Sequence, residues 1–202
     1  MEASAVLSKI KALKIAIFQT RDISVALDIS ITTASQALRR LEKFGHTIRL
    51  QRGLWALPEK VEPLMLPEYL TAPYACYVSL QSALYHHGMI EQIPEVIYAV
   101  TLMRTKKFKT QFATVSAHHI PPSFFGGFIS VGTNNIKIAT PEKALLDFFY
   151  LSTAKSRLFT RLPELEIPQN FDVTLCKKWI KAIPTLQRRS LVEKKFLELN
   201  LG

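Results

Sequence analysis

From residue 4 to residue 18, apolar side chains recur at three- and four-residue steps. Val6, Leu7, Ile10, Leu13, Ile17 and Phe18 form the row, with Lys9, Lys11 and Lys14 between them. That period predicts an amphipathic helix over 4–18. Thr20 is suited to cap a second, short helix that turns Ile23, Ala26 and Leu27 inward and stops near Asp28. Asp28-Ile29-Ser30 reads as a tight turn, and the Ser30 hydroxyl can accept a backbone N–H at the start of a third helix. That helix is expected from Ile31 to Phe44, with Gly45 as its stop. Its pattern sends Ile31, Ala34, Ala37, Leu38 and Leu41 inward. Thr32, Thr33, Ser35, Gln36, Arg39, Arg40 and Lys43 are left on the outer side. Thr47–Leu50 and Leu54–Leu57 read as strands around Gln51-Arg52-Gly53. Helix, turn, helix and hairpin in this order predict a winged helix-turn-helix over residues 1–58.

Pro58, Pro63 and Pro67 interrupt the pattern and mark a linker over 59–70, because proline resists both helix interiors and central strands. Residues 71–202 read as an α+β domain. Ser79 can cap a helix over Leu80–His87 that stops at Gly88. Val96–Leu102 and Phe112–His119 have the β-branched and aromatic character of strands. Phe128–Val131 and Ile136–Ala139 flank the turn residues Gly132-Thr133-Asn134-Asn135 as a hairpin. Thr140 and Pro141 open a helix reaching Leu151 that packs through Ala144, Leu145, Phe148 and Phe149. The last forty residues read as helices broken at Pro163, Pro168 and Pro184. The fold class is therefore α+β: a winged helix, then a mixed domain with a small antiparallel sheet and C-terminal helices.

Charge sharpens this reading. The 202 residues are 48% hydrophobic and 21% charged and carry a formal charge of +10, which excludes a disordered polycation. Nine bases and four acids give residues 1–58 about half of that excess. A folded basic module expects a polyanion. Thr32, Gln36, Arg39 and Lys43 fall on one stripe of the third helix, and such hydroxyl, amide and guanidinium groups read base edges in the major groove. The expected DNA-binding set is Thr32, Thr33, Ser35, Gln36, Arg39, Arg40 and Lys43, with Arg49 and Arg52 on the wing touching phosphate. The run Arg104-Thr105-Lys106-Lys107-Phe108-Lys109 holds four bases and no acid. Arg104, Lys106, Lys107 and Lys109 form either a second DNA contact or a solvated turn.

No apolar run is long enough to span a bilayer, and no secretory signal pattern opens the chain, so a cytoplasmic location is expected. Cys76 and Cys176, the only cysteines, support neither a disulfide framework nor a zinc site. The pairs His86-His87 and His118-His119 lack carboxylates or cysteines at ligand spacing. Glu95, Glu142 and Asp147 could in principle serve a DNA-directed, metal-dependent nuclease. Glu142 fits better at a helix first turn and Asp147 in an ion pair with Lys143. Neither a phosphate loop, nor a dinucleotide fingerprint, nor a nucleophile elbow occurs. The expectation is thus no catalytic residue, no metal and no cofactor. A nuclease and a protein-docking scaffold remain the rival readings.

Several stretches resemble the AbiEi family of antitoxins and transcriptional regulators from abortive-infection toxin–antitoxin systems. They are residues 77–88 (Tyr-Val-Ser-Leu-Gln-Ser-Ala-Leu-Tyr-His-His-Gly), Glu91-Gln92-Ile93-Pro94, Phe124-Phe125-Gly126, and residues 138–147 (Ile-Ala-Thr-Pro-Glu-Lys-Ala-Leu-Leu-Asp). With the expected winged helix they cover about residues 20–150. The resemblance implies a repressor that binds inverted repeats in its own promoter and neutralises a nucleotidyltransferase-like toxin, as a type IV antitoxin that needs no direct contact with that toxin. It places the DNA contacts on Thr32, Thr33, Gln36, Arg39, Arg40, Arg49 and Arg52.

Overall fold

A computed structural model describes residues 3–152 and 164–200. The chain divides into two compact units, Met1–Pro63 with Thr110–Phe112, and Leu64–Lys109 with Ala113–Gly202. The architecture is mixed α+β, with one small antiparallel sheet and one six-stranded mixed sheet among the described residues.

The first unit runs α1 (Ala3–Ala12), β1 (Ile17–Gln19), α2 (Thr20–Ala26), α3 (Ile31–Lys43), β2 (Ile48–Gln51) and β3 (Leu54–Ala56). The expected helix over 4–18 is therefore two elements. Lys14 takes a left-handed φ of 54°, which ends the helical path. Ile17 and Phe18 then pair with Ala56 and Trp55 as a strand. The sheet order is β1-β3-β2, all antiparallel. Val6, Ile10, Phe18, Ile23, Ala34, Leu38, Leu41, Trp55 and Leu57 form one core.

Capping differs from expectation at α2. Gln19 precedes the helix, and its backbone N–H donates to the Asp22 carboxylate at 2.7 Å. Thr20 is instead buried, where its hydroxyl accepts from the Trp55 indole N–H at 2.9 Å. Ala26 points outward, not into the core. The turn before α3 is fixed by the Ser24 hydroxyl, which donates to the Ile29 carbonyl at 2.6 Å. Ser30 caps α3 as its chemistry predicts, accepting from the Thr33 N–H at 3.0 Å.

The proline-rich stretch expected as linker over 59–70 is not extended chain. It holds 3-10 turns at Pro58–Lys60 and Pro63–Met65, then α4 (Leu66–Thr71). Pro67 is tolerated because the first helical turn has no N–H to lose. Leu66 and Leu70, four residues apart, are both buried, so this half of the stretch belongs to the second unit's core.

The second unit continues through β4 (Cys76–Val78), α5 (Leu80–His86), β5 (Ile97–Thr101), β6 (Lys106–Lys109), β7 (Thr114–His119), β8 (Phe128–Val131) and β9 (Ile136–Ala139). It closes with α6 (Pro141–Ser152), α7 (Val173–Lys181) and α8 (Leu186–Leu197). The sheet order is β6-β7-β5-β4-β9-β8. Pairs β4–β9 and β5–β7 are parallel and the others antiparallel. The expected small antiparallel sheet is thus larger and mixed, since β7 returns parallel to β5 by way of strand β6 and β9 lies parallel to β4. The basic run is not a turn: Lys106–Lys109 forms edge strand β6 on β7. Residues 142–151 of α6 are buried on every side, which is why α6 carries polar groups only where partners meet them. Pro163 lies outside the described residues.

Candidate nucleic-acid interface

Helix α3 presents its polar face from a firm base. Ala34, Leu38 and Leu41 are buried, while Thr32, Thr33, Gln36, Arg39, Arg40 and Lys43 are exposed and Ser35 is half-buried. The core stripe and the polar stripe lie on opposite sides, as a 3.6-residue period requires. Glu42 is the only acid on α3. None of Arg39, Arg40 and Lys43 has an ion-pair partner among the described residues. The Thr33 hydroxyl is partly spoken for, lying 2.9 Å from the Ser30 hydroxyl.

The hairpin β2–β3 is anchored through Trp55. The Arg49 guanidinium carbon sits 5.8 Å from the Trp55 ring centre, and its Nε–H donates to the Gln51 carbonyl at 3.4 Å. Arg49 is thus drawn back against its own hairpin. Arg52, at the tip, is exposed. The tip turns at Gly53, whose φ of 78° suits a residue without Cβ.

Ile31 departs from the sequence pattern. It is 58% exposed instead of packed inward. Helical side chains lean toward the N-terminus, and the first residue of α3 has no preceding turn to lean on.

In the second unit, Arg104, Lys106, Lys107 and Lys109 are all exposed, and Phe108 alone turns inward. The Lys106 ammonium lies 4.8 Å from the Phe108 ring centre. The Thr105 hydroxyl accepts from the His119 N–H at 3.0 Å and fixes the start of the strand.

The carboxylates considered for a nuclease are not all presented to solvent. Asp147 is wholly buried. It accepts from the Tyr77 hydroxyl at 3.0 Å, from the Ser79 hydroxyl at 2.7 Å, and from the buried Lys143 ammonium four residues earlier. Lys143 also donates to the Tyr77 hydroxyl at 2.9 Å and lies 3.9 Å from the Phe124 ring centre, with Trp179 at 5.4 Å. Burial pushes Lys143 down and Asp147 up, and their mutual attraction opposes both shifts. Ser79 therefore spends its hydroxyl on Asp147 and not on capping α5. Gly127 closes over this group: a Cβ there would lie 3.0 Å from the Lys143 Cγ and 3.0 Å from the Trp179 ring. Glu142 is buried and accepts from the Asp172 N–H at 3.0 Å. Glu95 is not drawn into this group. Sequence reasoning found the Lys143–Asp147 pair but missed its enclosure, since the aromatic partners lie far along the chain.

The histidines also separate. His87 Nε2–H donates to the Ala139 carbonyl at 2.7 Å while His86 is exposed. His118 is buried, 2.9 Å from the Ser116 hydroxyl, while His119 is exposed. Burial pushes the His118 imidazole down to about 4, against about 6.5 in an unfolded chain. Below about pH 6.5 the unfolded chain takes up a proton that the folded imidazole refuses, so stability falls until about pH 4 and then stops falling on this account. Urea midpoints across that range should drop less in His118→Gln than in the wild type. No group of three or more potential ligands to a metal ion occurs among the described residues. Cys76 and Cys176 are buried thiols pushed up to about 12 by burial. No helix among the described residues is long and apolar enough to cross a membrane.

The fold and surface thus define a mixed α+β chain with an exposed basic helix face on its first unit. No family model and no curated protein matches it. Among solved structures, the antibiotic-resistance factor ANT(2'')-Ia is similar at a TM-score of 0.33 and 7% identity, over 68% of this chain and 89% of that one. A likeness at that score carries no argument about fold or function.

Proposed function

We propose that the chain is a sequence-specific double-stranded DNA-binding transcriptional regulator, with its first unit acting as a winged helix-turn-helix. The observation that carries this reading is the unneutralised polar and basic face of α3, held out by a buried opposite face. Arg39 or Arg40 reads a guanine edge, Gln36 an adenine edge, and Lys43 and Arg52 meet phosphates. Arg49, held against Trp55, contributes charge near the hairpin. The antitoxin role, with autoregulation of its promoter against a nucleotidyltransferase-like toxin, rests on the resemblance of residues 77–88, 91–94, 124–126 and 138–147 to the AbiEi family. The deciding experiment is an anisotropy titration of the full chain on the duplex upstream of its gene. Tighter binding there than to a scrambled duplex supports the reading, and equal binding removes it.

The edge strand β6 supplies a second phosphate contact in this reading. Changing Lys106, Lys107 and Lys109 together to Gln should flatten the slope of log K against log salt by roughly 0.9 for each lysine that meets a phosphate. Preference among sequences should stay as it was. An unchanged slope leaves the lysines as guards of an open sheet edge.

A further inference from the structure

We propose that Ile31 is a specificity-determining residue that reads the 5-methyl group of a thymine. The inference rests on the DNA-binding role proposed above and goes beyond its polar contacts. Ile31 is the first residue of α3 and is 58% exposed. Leaving so large an aliphatic group in water forgoes a substantial burial free energy. It sits next to Thr32 and Thr33, at the end of the helix from which a helix-turn-helix contacts base edges. Ser30 holds that end in place through the Thr33 N–H. In the major groove, thymine alone offers an apolar feature, its methyl group, and an apolar side chain is the matching partner. Among the described residues, the unit's other exposed large apolar groups lie elsewhere: Leu13 just after α1, Val25 on α2, and Phe44 past the far end of α3.

The test replaces thymine by uracil, one position at a time, in the upstream duplex that the full-length protein prefers. Uracil lacks only the methyl group. The wild type should lose about fourfold in affinity at one position, the factor expected for one buried methyl. Ile31→Ala should bind the thymine duplex as weakly as the wild type binds the uracil one, and should be indifferent to the replacement there. Val25→Ala should keep the wild-type sensitivity. Ile31→Ala that remains sensitive, or a wild type indifferent to every replacement, overturns the inference while the preference for the upstream duplex still stands. A change of oligomeric state in Ile31→Ala, read by sedimentation, also overturns it in favour of contact with a second copy. Loss of preference for the upstream duplex in the wild type instead counts against the DNA-binding role itself, and takes this inference with it.

Discussion

Asp147→Ala should lower the stability of the second unit by about 3–5 kcal/mol, the cost of stranding a buried charge. Lys143 would keep the rings of Phe124 and Trp179 around its ammonium but lose its carboxylate partner. The Tyr77 and Ser79 hydroxyls would lose their acceptor at the same time. Urea unfolding followed by Trp179 emission, in a Trp55→Phe background, isolates this unit. The paired replacement Lys143→Met/Asp147→Leu should recover most of the loss, because it removes both charges and fills their space with apolar atoms. If the single and paired variants unfold alike, the loss comes from packing and not from a stranded charge. The same pair of variants bears on the nuclease reading. A structural carboxylate predicts that the recovered variant leaves every nucleic-acid property unchanged.

The second large effect is expected on the DNA recognition proposed for α3. Arg39→Ala and Arg40→Ala should together weaken binding to the preferred duplex by about 1–3 kcal/mol for each arginine that reads a base. The loss should be concentrated on the preferred sequence, so that the ratio to scrambled duplex narrows. Arg52→Ala should instead weaken both duplexes alike, since a phosphate contact carries no sequence information. Both arginines of α3 are exposed and outside the core, so the variants should melt with the wild type. Unchanged discrimination in the double variant would show that α3 does not read bases through them.

The parts of the fold legible in the sequence are those fixed locally. Ser30, the spacing of Ala34, Leu38 and Leu41, and Gly45 define α3 without help from the rest of the chain. The parts that were not legible depend on distant partners. Ile17 and Phe18 continue the helical row of α1, and only their pairing with β3 makes them a strand. A short apolar run fits either period. β6 reads in the sequence only as a basic run, a second DNA contact or a solvated turn, because one residue in four, Phe108, faces inward, and an edge strand needs no more. At the candidate site, the stripe Thr32, Gln36, Arg39 and Lys43 follows from helical spacing. The exposure of Ile31 follows from its place at the helix end, which a periodic pattern does not register. Likewise the four-residue spacing of Lys143 and Asp147 is plain, but their enclosure needs Tyr77, Phe124 and Trp179.

Thr20 has a consequence for the thermodynamics of association. Its N–H and its hydroxyl both donate to the Gly53 carbonyl, at 2.9 and 3.4 Å, and the same hydroxyl takes the Trp55 indole proton. The hairpin tip and the first residue of α2 are thereby pinned at one point. Under the proposed role, a DNA duplex would meet a hairpin tip and an α2 start already tied to each other. What it must still immobilise is the set of long side chains, at about 0.5–1.5 kcal/mol each, so the entropy opposing a complex resides in arginine and lysine rotamers and not in the path of the chain.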